Sequence, residues 1–185
     1  MRHFRFVARI MSSENSMVAA KPKITIDSKA SVVRDVTIEG EVTIRAGTVV
    51  HPRAVIRALK GPIVIGENNI IEETTLIEND HEEGFTMKIG NENVFEVGAV
   101  VRARSVGNHN VFQARSEVGP HTEVPDGCSI GVKCQIMKKG RLEDRFVVFG
   151  DLNTKRIAQE NPQQQTRQLD QLRNTFPRYH HSYVM

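Results

Sequence analysis

The stretch IDSKASVVRDVTIEGEVTIRAGTVVHPRAV (residues 26–55) divides into five hexads: IDSKAS, VVRDVT, IEGEVT, IRAGTV and VHPRAV. Each opens on Ile or Val, and the fifth place holds Ala30, Val36, Val42, Thr48 or Ala54, all small or β-branched. A return every six residues is neither the 3.6 of a helix nor the 2 of an isolated strand, so it belongs to a repeat architecture. The first place continues at Ile56, Ile65, Ile71, Ile77, Ile89, Phe95, Val101, Val106, Phe112, Val118, Val124, Ile130, Ile136, Leu142 and Val148. Of these twenty positions, seventeen are Val or Ile, side chains that fit a pleated strand and lose freedom in a helix.

Each hexad reads as a short strand and a turn, with the first residue inward and the fifth packed at a corner. Three hexads close one triangular coil, so residues eighteen apart stack and each strand pairs with the coils above and below. The expected fold is an all-β solenoid, a parallel β-helix of about six to seven triangular coils with a C-terminal amphipathic helix. The phase slips three times. RALKGPIV (57–64) inserts three residues at a Gly-Pro turn, and NDHEEGFTMK (79–88) reads as a loop bulging from a corner, with Glu83 expelled from an inward place. One residue is missing between Val101 and Val106.

A motif I/V-G-x-x-N occurs at Ile65–Asn69, Ile89–Asn93 and Val106–Asn110. Gly and Asn tolerate left-handed backbone, so the motif is read as turn geometry. It is no phosphate loop, because no helix and no Gly-Lys-Ser/Thr follow.

The expected organisation is a disordered leader (1–21), the solenoid (22–150), then a linker and a helix packing on the solenoid (151–185). The leader carries arginines and no acid before Glu14, which a mitochondrial transit peptide also shows. In the tail, Pro162 is placed in the first helical turn, Leu169, Leu172 and Phe176 on one face, and Pro177 at the end. The helix is expected along one flat side or over one end, since an open final coil presents unpaired edges.

A formal charge of +3 and a pI near 9.0, without basic residues interleaved with aromatics, argue against nucleic-acid binding. No run of 18 apolar residues suggests membrane insertion. Cys128 and Cys134 share one repeat place and read as buried, reduced fillers, which suits an intracellular protein.

Catalytic zinc needs three converging histidines. His109 and His121 fall on different faces, His51 lies coils away, and His81 sits on the loop, where it reads as a solvated group. His3, His180 and His181 lie outside the coils. The reading is therefore no catalytic residue, no metal and no cofactor. Charge offers more: stacking puts Arg104, His121 and Lys139 in one column and Arg115 with Lys133 in another. These five are the candidate partner-binding residues, a basic corner for an acidic surface.

GPIVIGENNIIEE (61–73), IGNENVFEVGA (89–99), VGNHNVF (106–112) and the tail NPQQQTRQLDQL…FPRYHH (161–181) carry a resemblance to the hexapeptide-repeat superfamily. Within it, they resemble the β-helical subunits at the pointed end of dynactin, over about residues 22–181. The tail is the specific part, and the leader is not required by the family. The resemblance implies a left-handed coil and a non-enzymatic part of a cytoplasmic, cytoskeleton-associated assembly that serves dynein-driven microtubule transport and engages cargo and adaptors. Implied partners are the paired β-helical subunit, the pointed-end actin-related protein and the large zinc-binding subunit. The alternatives are a mitochondrial γ-carbonic-anhydrase-like protein, either a zinc enzyme or an inactive paralogue, and a hexapeptide acyltransferase. Against the first, the histidine pair of that family is missing, and the corresponding region reads VFEVGAVVRARSV (94–106).

Overall fold

The computed structural model describes residues 23–163 and 165–179; the expected leader lies outside the described residues. Three sheets, parallel except at the last strand of the second, form the faces of a solenoid. The first face has seven strands, from Ile24–Ile26 to Gly140–Arg141. The second has eight, from Ser31–Val32 to Phe146–Phe149 and then Thr154–Ile157. The third has six, from Thr37–Glu39 to Gln135–Ile136. Successive strands visit the faces in turn, so hydrogen bonding runs along the axis from coil to coil.

Register explains how the hexads survive their slips. Ser31 pairs with Val49, Val49 with Ile70, Ile70 with Val94, Val94 with Val111, and Val111 with Ser129. The step is therefore 18, 21, 24, 17 and 18 residues, and the other two faces follow the same series. Every slip falls at the corner between the third and first faces, so it shifts all later strands equally and never disturbs pairing. There the loop over 80–86 is tied down. The Asn79 amide donates to the carbonyls of Gly61, Pro62 and Phe85 at 2.7–3.0 Å, and Gly84 N–H donates to Lys60 O at 2.8 Å. Glu83 is exposed, as its expulsion requires.

Eighteen of the twenty first-place residues are buried, while Ile26 and Ile38 in the first coil are half-buried. Burial of each Val or Ile is worth about 1.5–3 kcal/mol, so the column dominates the stability of the fold. Phe95 and Phe112 stack inside it with centroids 4.8 Å apart. At the fifth place Val36, Val42, Thr48 and Ala54 are buried, as expected.

The I/V-G-x-x-N motif has another cause than left-handed turns. The left-handed residues are its fourth, Asn68, Glu92 and His109, at φ 56–57°. Asn69, Asn93 and Asn110 are instead fully buried links of an internal ladder. Asn69 N–H donates to Thr48 Oγ1, Asn93 N–H to Asn69 Oδ1, Asn110 N–H to Asn93 Oδ1 and Cys128 N–H to Asn110 Oδ1, at 2.7–3.2 Å. The amide nitrogens of Asn69 and Asn93 donate to Gly90 O and Gly107 O. Gly66 and Gly90 are needed for space: a Cβ there would run into the carbonyl of the next motif's glycine.

The tail differs from expectation at both ends. Between the last coil and the helix, Thr154–Ile157 pairs antiparallel with Phe146–Phe149, covering that edge of the final coil where a linker was expected. Helix α1 (Thr166–Tyr179) begins four residues after Pro162 and includes Pro177. The helix lies along the second face, against the strands Ser31–Val32 and Val49–Val50.

Candidate functional site

The seat of α1 is the most elaborated surface. Outward residues Val49, Ile70 and Val94 of the second face are buried, as are Leu169 and Phe176 of the helix, with Leu172 packed beside them. These are the three helix residues whose spacing predicts one apolar face. Arg173, unremarked in the sequence, donates to Gly47 O at 2.8 and 3.1 Å and to Asn68 Oδ1. A guanidinium reaches two carbonyl-type acceptors at once because its donors are splayed in a plane.

His51 closes the far end of this seat. It is buried, meets Phe176 edge-on at a centroid distance of 4.6 Å, and holds Nδ1 3.1 Å from Glu73 Oε1. Burial, the largest single influence, would raise the Glu73 carboxyl, but the hydrogen bonds from His51 and from its own backbone, with the charges of His51 and Arg53, together outweigh it and the net shift is downward. Next to it, burial lifts Glu72 above the usual carboxylate range despite the Val97 N–H it accepts.

The other histidines are separate. His81 is buried, which corrects its reading as a solvated group: Nε2 lies 3.2 Å from Ala103 O and its ring meets Phe85 edge-on. The loop folds back over the coil, so its histidine becomes packing. His109 Nδ1 lies 3.3 Å from Glu92 Oε2, and His121 is exposed. Among the described residues, no group of three His, Cys, Asp or Glu is placed to hold a metal ion.

Of the five basic candidates, Arg104 leaves the column assigned to it. Ser105 pairs with Glu123 and Thr122 with Gly140, so His121 stacks with Lys139 while Arg104 aligns with Thr122. The missing residue was placed one step off, because a shortened corner does not announce which position it omits. The Arg104 guanidinium turns to the loop, with 2.7 and 3.1 Å bonds to Glu82 and a centroid distance of 4.2 Å over Phe85. The hydrogen bond from Arg104 holds the Glu82 carboxyl down at about 2. Arg115 and Lys133 do stack, both exposed and both at φ 57°, on the corner between the second and third faces.

Cys128 and Cys134 are free and buried, and burial pushes the Cys128 thiol up to about 11. A thiol held protonated is a poor nucleophile and metal ligand, consistent with the filler reading. No helix among the described residues is long and apolar enough to cross a membrane.

No family model matches the chain. Among solved structures, a hexapeptide transferase family protein from Anaplasma phagocytophilum superposes with a TM-score of 0.67 at 17% identity, covering 86% of this chain and 90% of that one. That likeness concerns the fold alone, the left-handed parallel β-helix. A carbonic anhydrase from Methanosarcina thermophila is 31% identical over 129 residues, 68% of this chain but 49% of that protein. Much stronger likeness comes from dynactin subunit 6 of Nematostella vectensis, 39% identical over 86% of this chain and 91% of the relative. Dynactin subunit 6 of Danio rerio is 39% identical over 92% of this chain and 93% of its own length. With identity at this level over nearly the whole length of both sequences, the chain belongs to the dynactin subunit 6 family.

Proposed function

We propose that this chain is a non-catalytic structural subunit of the dynactin pointed-end complex, supporting dynein-driven microtubule transport and the engagement of cargo and adaptors. The observation that carries the reading is end-to-end likeness to dynactin subunit 6 from several animals. The coil chemistry supports it: His51, His81 and His109 each serve a contact within this chain, and both thiols are buried. Its partners would be the paired β-helical subunit, the actin-related protein and the large zinc-binding subunit. Its place would be the cytoplasm, on the cytoskeleton.

The test is affinity purification of the tagged endogenous protein, read by mass spectrometry. Recovery of dynactin subunits in stoichiometric amounts is the expected result. Recovery of respiratory-chain subunits without an actin-related protein would overturn the reading. The carbonic anhydrase likeness favours a second reading, a γ-class zinc enzyme. It requires a homotrimer with about one zinc per chain, which light scattering and metal analysis of the purified protein decide.

A further inference from the structure

The second face is dressed unequally. Its outward row runs Ser31, Val49, Ile70, Val94, Val111, Ser129, Val147 by register. Helix α1 covers the row as far as Val94; beyond it Val111, Ser129 and Val147 are partly open. Beside them Gly131 carries no side chain, and Phe149 and Val132 are 44% and 54% exposed. The result is a shallow apolar trough. Its far side is flanked by the returning chain, where Ala158 N–H donates to Arg145 O and Arg145 Nη1 to Gln159 O.

Cations edge this trough. Arg156 pairs across from Val147 and lines the same hollow. Arg115 and Lys133 stand on the adjoining corner. None of the three makes an ion pair among the described residues, whereas Arg57, Arg102 and Arg104 elsewhere are matched to carboxylates. By register Asp151 follows Lys133 in the same column and Glu96 stands one coil before Ala114, where it accepts the Ala114 N–H.

We infer that this trough docks an acidic amphipathic helix from a partner protein, laid end to end with α1 on the same face. This rests on the reading of the chain as a subunit that works by being gripped, and names the chemistry of one grip. The bare half is four strands wide, about 15 Å at ordinary strand spacing, which suits a helix of about ten residues. The face already accepts a helix by burying Leu169 and Phe176 over Val49, Ile70 and Val94. What changes along it is charge: unpaired cations at the rim select an acidic partner and disfavour a basic helix such as α1 itself.

The experiment places the photoreactive residue benzoylphenylalanine at Val132 in the full tagged chain in its own cells, with Leu59 on another corner as control. Crosslinked peptides are sequenced. The expected result is a Val132 crosslink into an acidic helical segment of another protein. Its yield falls about tenfold with Arg115→Glu, Lys133→Glu and Arg156→Glu combined, while thermal melting is unchanged. A Val132 yield no higher than at Leu59 overturns the inference. So does a crosslink to a second copy, to residues 180–185 of the same chain, or to a segment that is basic or extended, or a yield indifferent to charge reversal. Recovery of dynactin with no Val132 crosslink sinks this inference alone; an acidic-helix crosslink with no dynactin sinks the dynactin reading alone.

Discussion

Two corners of the solenoid solve one problem with opposite chemistry. Each must bury a residue at the fifth place of the hexad. Between the first and second faces that column is Thr48, Asn69, Asn93, Asn110 and Cys128, mostly amides bonded from coil to coil. Between the second and third faces it is Ala54, Thr75, Ala99, Ser116 and Cys134, small side chains that mainly fill space, though Thr75 Oγ1 donates to Glu96 O at 3.2 Å and Cys134 Sγ to Gly150 O at 3.6 Å. The amide ladder ties backbone groups that face inward at a corner, where an unpaired donor is costly. The contrast teaches that a hexad sets size at the fifth place and leaves polarity to local backbone geometry.

The strongest way to break that contrast is Asn93→Ala. It strips the partners from Asn110 N–H and Gly107 O inside the fold, so about 3–5 kcal/mol should be lost in urea unfolding. A loss under about 1 kcal/mol would mean that the ladder is decoration. Gly90→Ala is next: its Cβ would press on Gly107 O and Asn108 Oδ1, for about 2–4 kcal/mol by the same measurement.

The thiols sharpen the comparison through pH. Burial raises Cys128 to about 11 and lifts Cys134 as well. The unfolded chain releases these protons near pH 8.5–9, so the folded form is favoured fully below that range. Stability should then fall as pH rises towards 11, and Cys128→Ala should flatten the slope of the urea midpoint over that window.

The second corner should be forgiving. Gly98 has φ 70°, but a Cβ there meets nothing closer than Arg115 Cγ at 3.4 Å, and Arg53, Thr74, Arg115 and Lys133 already occupy the same left-handed column at φ 57–61°. Gly98→Asn should cost less than about 1 kcal/mol in thermal melting. Smallest is Ser116→Ala. The buried Ser116 hydroxyl has no partner, so removing it should leave the melting temperature unchanged or slightly raised.

Much of this was legible beforehand. The aliphatic period names the inward column, and the three slips mark one irregular corner. The reading failed where a residue type has two uses. Asn in I/V-G-x-x-N suits a left-handed turn or a buried ladder, and only the path of neighbouring carbonyls separates them. His81 looked solvated because its loop is acidic, yet the fold back over Ala103 buries it. Arg104 was misplaced by one step because pairing, not spacing, fixes a shortened corner.

The sequence by itself determined a triangular coil, its approximate height and an amphipathic tail, since those follow from side-chain size and period. It could not say which face the tail would take. Outward rows on two faces are apolar, Val49–Ile70–Val94 on the second and Val55–Leu76–Val100 on the third. Beside the third-face row stands an ion-pair series through Glu39, Arg57, Glu78, Arg102 and Glu117. The tertiary structure chose the second face, where Gly47 O and Asn68 receive Arg173 and His51 meets Phe176. Such a choice depends on groups far apart in the chain, 126 residues for Arg173 and Gly47, and no local pattern encodes it.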